Sequence, residues 1–221
     1  MFAIDVETHA LIPTQPKGSW WQEGRFGIET TVNDADIAKL FLLQLGWTST
    51  YPGQVNPHTK VRLVRPDGFV VHSGATAKHL ISQEHAATHG LPLASVLREF
   101  FADAKAIIDS GGRITSHHLG FDAVVILQEM EKIGSTDMAG EWDGFVRKGI
   151  CTMNKFISNW VFKQVGQGDK PLKIPLKLTD GIEWLVPQHA HLTDQHHDAG
   201  ADSLMHWHLA YELVARARHE S

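Results

Sequence analysis

Four carboxylates and one histidine, in three short motifs, carry most of the chemistry legible in this chain. Asp5 and Glu7 lie in Phe2-Ala3-Ile4-Asp5-Val6-Glu7-Thr8. Asp122 closes His117-His118-Leu119-Gly120-Phe121-Asp122, and His197 and Asp202 bracket His197-Asp198-Ala199-Gly200-Ala201-Asp202. Residues two apart on a strand project from one face, so Asp5 and Glu7 stand side by side. Two like charges held that close repel unless a cation lies between them. Hard divalent ions, which bind through oxygen, are the cations such a pair suits. Flanked by Phe2, Ile4 and Val6, the pair is expected in a cleft rather than at a solvated strand end. A histidine beside such a centre suits proton transfer, because its unperturbed pKa lies near 6.5.

In this order, Asp-x-Glu-Thr, His-x-x-x-Phe-Asp and His-x-Ala-x-x-Asp resemble the DEDDh 3′→5′ exonucleases, from residue 2 to about Glu212. Any one motif is weak, since Asp-x-Glu recurs by chance; three in register are specific. The resemblance implies an α/β RNase H-like fold, a five-stranded mixed sheet with one antiparallel strand, flanked by helices. It implies removal of nucleoside 5′-monophosphates from a nucleic-acid 3′ end with two Mg²⁺ ions, for which Mn²⁺ substitutes. Asp5 would bridge the ions, Glu7 and Asp202 would hold the one on the nucleophile side, and Asp122 would support the other through water. His197 would be the general base. His196 is its rival, but the motif spacing selects His197, because Ala199 then falls at the small residue.

By the same resemblance, Thr8-His9-Ala10-Leu11 is a substrate-binding stretch in which Thr8 and His9 meet the terminal nucleotide and Leu11 wedges between the last two bases. His9 and Ala10 depart from the usual residues there, and core packing is the competing reading of Leu11. His117 and Phe121 match the second motif, His117 positioning backbone and Phe121 lining the site or the core. Trp20 and Trp21 could stack the bases of a single strand, although buried anchoring is the commoner use of such a pair. His189, His191, His196 and His197 lie within nine residues and raise a structural zinc site as a weaker alternative.

These residues need elements to position them. Apolar patterning predicts strands over 2–6, 41–47 and 113–116. It also predicts a hairpin pairing 60–64 with 68–71 around Pro66-Asp67-Gly68. Val96, Leu97, Phe100, Phe101, Ala104, Ile107 and Ile108 recur at helical spacing before Gly111-Gly112. Helices are expected over 121–132, 152–164, 178–185 and 199–216 as well.

At 221 residues and 43% hydrophobic, the chain fits a single domain over 1–221 with one sizeable core. Its apolar runs are too short to span a bilayer, and Met1 leads straight into the first strand without a leader pattern. Together with the lone Cys151, this gives an intracellular expectation, cytoplasmic or nuclear, with no membrane partner. The formal charge of −5 hides an asymmetry. Between 147 and 177, Arg147, Lys148, Lys155, Lys163, Lys170, Lys173 and Lys177 oppose only Asp169, a net of +6 that leaves −11 elsewhere. A basic surface beside an acidic metal site suits a phosphodiester. The expected partner is a single-stranded 3′ end, DNA ahead of short or single-stranded RNA, and the resemblance leaves a homodimer open. Two other classes stand as alternatives: an inactive nucleic-acid-binding module, disfavoured by the complete acid set, and a small-molecule phosphatase.

Overall fold

Apolar residues alternating with acids make Phe2–Thr8 (β1) the central strand of the main sheet. The computed structural model describes residues 1–12, 22–51, 54, 56–166 and 175–219; Trp20, Trp21, Lys170 and Lys173 lie outside the described residues. A small ribbon of Gln22–Glu23 (β2) and Glu29–Thr30 (β3) follows, then Asp34–Ile37 (α1), Leu42–Ser49 (β4) and His58–Leu63 (β5). The chain continues through Ser73–His79 (α2), Gln83–His89 (α3), Leu93–Asp109 (α4), Ile114–Ser116 (β6) and Leu119–Lys132 (α5). It ends with Thr136–Val146 (α6), Ile150–Cys151 (β7), Lys155–Gln164 (α7), Leu178–Leu185 (α8), a 3-10 stretch over Pro187–Gln195 and Ala199–His219 (α9). The sheet order is β5-β4-β1-β6-β7, with β4 antiparallel to both neighbours and β1, β6 and β7 parallel. This is the mixed α/β sheet with one reversed strand that the motifs implied. Among the described residues no helix is long and apolar enough to cross a membrane.

The two faces of the sheet do different work. Phe2, Ile4 and Val6 enter the main core with Leu45, Trp47, Phe100, Ile107 and Trp142. Their neighbours Ala3, Asp5 and Glu7 pair across the ladder with Thr48, Gly46 and Gln44, on the face crossed by α9. Thr48 there bonds Ser203 of α9. A second apolar cluster joins α8, the 3-10 stretch and α9 through Leu178, Ile182, Leu192, Met205 and Leu209.

Several local expectations need correction. Segment 68–71 forms no strand, and β5 pairs along its whole length with β4 instead. Phe69 stacks on Phe41, and Val71 joins Leu43, Ile81 and Ala86 in a satellite cluster. These apolar contacts take the place of a pairing with β5. The helix expected from 152 starts at Lys155, because Ile150–Cys151 is spent on β7 and the Asn154 side chain caps Ile157 N–H at 2.8 Å. Helices α1, α2, α3 and α6 were not expected; most are short, and their apolar residues do not make a long periodic run.

One glycine sets the distance between α9 and the sheet. A Cβ on Gly46 would lie 2.0 Å from the Ala199 carbonyl oxygen, so only glycine admits the first turn of α9 over β1 and β4. Gly46→Ala is expected to destabilise the chain by ~3 kcal/mol or more, since backbone must move. The exposed Gly140→Ala in α6, where added volume meets nothing within 4 Å, should be neutral or stabilising. Equal denaturation midpoints for the two variants would refute the close approach.

Candidate active site

The four carboxylates come from three elements and meet in one cleft of about 540 Å³. Asp5 and Glu7 are supplied by β1, Asp122 by the first turn of α5 and Asp202 by the first turn of α9. A ladder irregularity directly after Glu7 ends the regular strand beside the site, a common place for one. One oxygen each of Asp5, Glu7 and Asp202 lies within 4.8 Å of the others. Asp122 is held separately: it accepts from the Ser116 hydroxyl and the Val6 N–H. The turn into α9 is built by Asp198, whose Oδ1 accepts from Gly200 N–H at 3.0 Å and Ala201 N–H at 3.1 Å. Gln44 ties the same turn to β4, accepting from Ala199 N–H at 2.9 Å.

Burial raises the Asp5 carboxyl far above its ordinary range, with Asp202, Asp122 and Glu7 adding repulsion. Glu7 is pushed up to about 9, by burial first and then by Asp202 and Asp122. Asp122 goes up to about 7, mainly through burial, against the pull of its hydrogen bonds from Ser116 and Val6. These three groups cannot all ionise near neutral pH without a counter-charge, and an all-oxygen donor set fits Mg²⁺ or Mn²⁺.

That electrostatics predicts how stability responds to pH. The folded, metal-free chain keeps protons on Glu7 and Asp122 that the unfolded chain releases above about pH 4.5, so these groups lower stability as pH rises. Histidines 117, 118 and 206, held down to about 3 to 4, act oppositely, but only below about pH 6.5. Between about pH 6.5 and 9 the carboxylates dominate, opposed by the half-buried N-terminal amine, whose pKa burial lowers from about 8. The metal-free Tm should therefore fall across that window, and millimolar Mg²⁺ or Mn²⁺ should restore it by several degrees. A flat Tm without metal, or no response to it, would contradict the clustering of charge.

Both candidate bases sit at the rim. His196 Nδ1–H donates to Asp202 at 3.0 Å, and its ring stacks on His197 with centroids 3.8 Å apart. His197 donates its backbone N–H to Asp202 Oδ2 at 3.2 Å and has φ +76°, a left-handed conformation rare for a non-glycine residue. Burial lowers its imidazole pKa, His196 adds to this, and Asp202 opposes it. Nitrogen donors of His196 and His197 lie within 4.8 Å of Asp202. His189 instead stacks on His208 at 3.6 Å, so the zinc grouping of His189 and His191 with His196 and His197 does not form.

The other sequence-expected residues divide. Phe121 lines the cleft, and His117 is buried, its Nε2–H donating to Leu176 O at 2.7 Å while Nδ1 accepts from Thr152. Thr8 Oγ1 donates to Ala10 O at 2.8 Å. His9 is buried among Phe41, Phe69 and His72 and accepts from Phe41 N–H, so it supports this loop from beneath and is not among the cleft-lining residues. Leu11 is 53% exposed, which removes the core-packing reading. Of the basic segment, Lys177 lines the cleft, while Arg147 is engaged by Asp143 at 2.6 Å. Sequence reasoning missed Ser116, Asp198 and His206, all in or behind the site. For His206 a signal existed: it follows Asp202 by four residues, hence on the same helical face.

No protein-family profile matches this sequence, and no curated protein matches it. Solved structures do. An exonuclease I, described in terms of how it achieves processivity, superposes with a TM-score of 0.65 at 14% identity, over 96% of this chain and 40% of that one. Escherichia coli exonuclease I in complex with a dT13 oligonucleotide gives 0.64 at 16%, over 96% and 40%. A moderately thermophilic exonuclease I from Methylocaldum szegediense gives 0.65 at 16%, over 97% and 40%. The chain thus has the RNase H-like fold of these proteins and spans about two fifths of their length.

Proposed function

We propose that this chain is a metal-dependent 3′→5′ exonuclease domain acting on single-stranded 3′ ends, with DNA the favoured substrate. One observation carries the reading: Asp5, Glu7, Asp122 and Asp202, from three distant segments, line one cleft with His196 and His197. Two structural neighbours are exonuclease I bound to dT13 and dA16 oligonucleotides, which supports a single-stranded DNA substrate.

Asp5, Glu7 and Asp202 would hold the divalent ions, with Asp122 supporting them from the Ser116 side. Bound there, such ions supply Lewis-acid activation of water and charge neutralisation at phosphorus. The His197 imidazole, neutral near pH 7, takes the proton from the attacking water. Lys177 offers positive charge to a phosphate entering the cleft, and Leu11 offers an exposed apolar surface to the terminal bases.

The test is a panel of 5′-labelled single-stranded DNA, single-stranded RNA and duplex DNA, each with Mg²⁺, Mn²⁺ or EDTA. A metal-dependent ladder shortened by one nucleotide at a time, fastest on single-stranded DNA, is expected. Faster cleavage of RNA would move the assignment to an exoribonuclease. Binding without cleavage of any substrate would make the chain an inactive nucleic-acid-binding module.

A further inference from the structure

We propose that His206 is a nitrogen ligand for the divalent ion held on Asp5, an inference that rests on the metal-dependent reading above. The residue lies one helical turn beyond Asp202, its side chain 3% exposed, and it lines the cleft. Its Nδ1–H donates to the Ile4 carbonyl at 2.7 Å. That bond fixes the tautomer and leaves Nε2 with a bare lone pair. Nε2 lies 3.8 Å from Asp5 Oδ1, and no hydrogen-bond donor reaches it among the described residues.

When Asp5 is ionised, its oxygen and the bare His206 nitrogen face each other at a distance too long for a hydrogen bond, and a cation between them turns that contact favourable. Donors each ~2.1 Å from one ion stand ~3 to 4 Å apart, so this spacing suits a shared ion. The arrangement behind the ring fits the same role. Imidazoles that ligate metals are held by a hydrogen bond from their other nitrogen, commonly to a backbone carbonyl, and His117 packs against this ring at 6.2 Å. His206 stands outside the tight Asp5, Glu7 and Asp202 group and meets it at Asp5, with Asp202 also acting on its charge. A nitrogen donor has a chemical consequence: it favours Mn²⁺, Co²⁺ or Zn²⁺ over Mg²⁺, which carboxylates alone do not.

The test reads nitrogen on the metal rather than turnover. The full chain loaded with Mn²⁺ is measured by electron spin-echo envelope modulation, which detects ¹⁴N bound directly to the ion. Wild type is expected to show the ¹⁴N modulation. His206→Gln should lose it and lose roughly tenfold or more of the Mn²⁺-over-Mg²⁺ affinity ratio in calorimetry. The rim is controlled by the double variant His196→Gln/His197→Gln, which keeps the buried histidine and should retain the modulation; this variant decides the matter if His206→Gln fails to fold. Bound Mn²⁺ without ¹⁴N modulation, modulation surviving in His206→Gln, or its loss in the rim variant overturns the assignment and leaves the carboxylate site standing. Failure of wild type to bind Mn²⁺ at all overturns the metal-dependent reading itself.

Discussion

Asp5→Asn is expected to reduce cleavage of every 3′-end substrate by at least ~10³-fold, equivalent to about 4 kcal/mol of barrier, while making the metal-free protein more stable at neutral pH. The two effects share one cause. Burial first, then Asp202, Asp122 and Glu7, press the Asp5 carboxyl toward its protonated form. The amide keeps the shape and removes the charge, so repulsion within the cluster falls and the metal-free Tm should rise. It also replaces an anionic ligand by a neutral amide that holds hard divalent ions far more weakly, so these ions should raise Tm much less than they do in wild type. Single-turnover cleavage and thermal melts with and without Mg²⁺ check both halves. Wild-type turnover would end the two-metal reading. Lost turnover in an unfolded protein would say nothing of catalysis, which is why the melt is part of the test.

His197→Ala should cost ~10²- to 10⁴-fold in kcat, the range for a positioned general base, with KM little changed. His196→Ala should cost far less. The rings stack within 3.8 Å, yet their bonds differ: His196 spends Nδ1–H on Asp202, whereas His197 contributes only its backbone N–H and leaves its ring uncommitted. In wild type, burial places the acid limb of the pH–rate profile below pH 6.5, since the base works only when neutral. The limb should vanish in His197→Ala. His197→Gly, which also suits the left-handed backbone there, should regain turnover with added imidazole. The reverse order of losses would transfer the role to His196 and break the third motif's spacing.

Much of this was legible before folding because it is local. The side-by-side placement of Asp5 and Glu7 follows from strand period, the long helices α4, α5 and α9 from apolar spacing, and the end of α8 from Pro187. The misses share a cause too. Segment 68–71 carries strand-like residues, but Phe69 and Val71 pack against Phe41 and against Leu43, contacts between residues 28 positions apart in the chain. Strand β7 is two residues long, below any period a pattern can report. The neighbours of His9 in sequence did not show that its ring packs against Phe41 and Phe69 beneath the loop.

By itself, the sequence determined which residue types the site contains, their order, and which of them share a strand or a helical turn. Only the tertiary structure decided how far apart they stand. Side chains on one element inherit their spacing from its period, whereas the approach of α9 to β1 depends on a missing Cβ at Gly46 and on the Asp198 cap. The tautomer of His206 is set by a carbonyl 202 residues earlier in the chain. Contacts of that kind are made by packing, which no local period encodes.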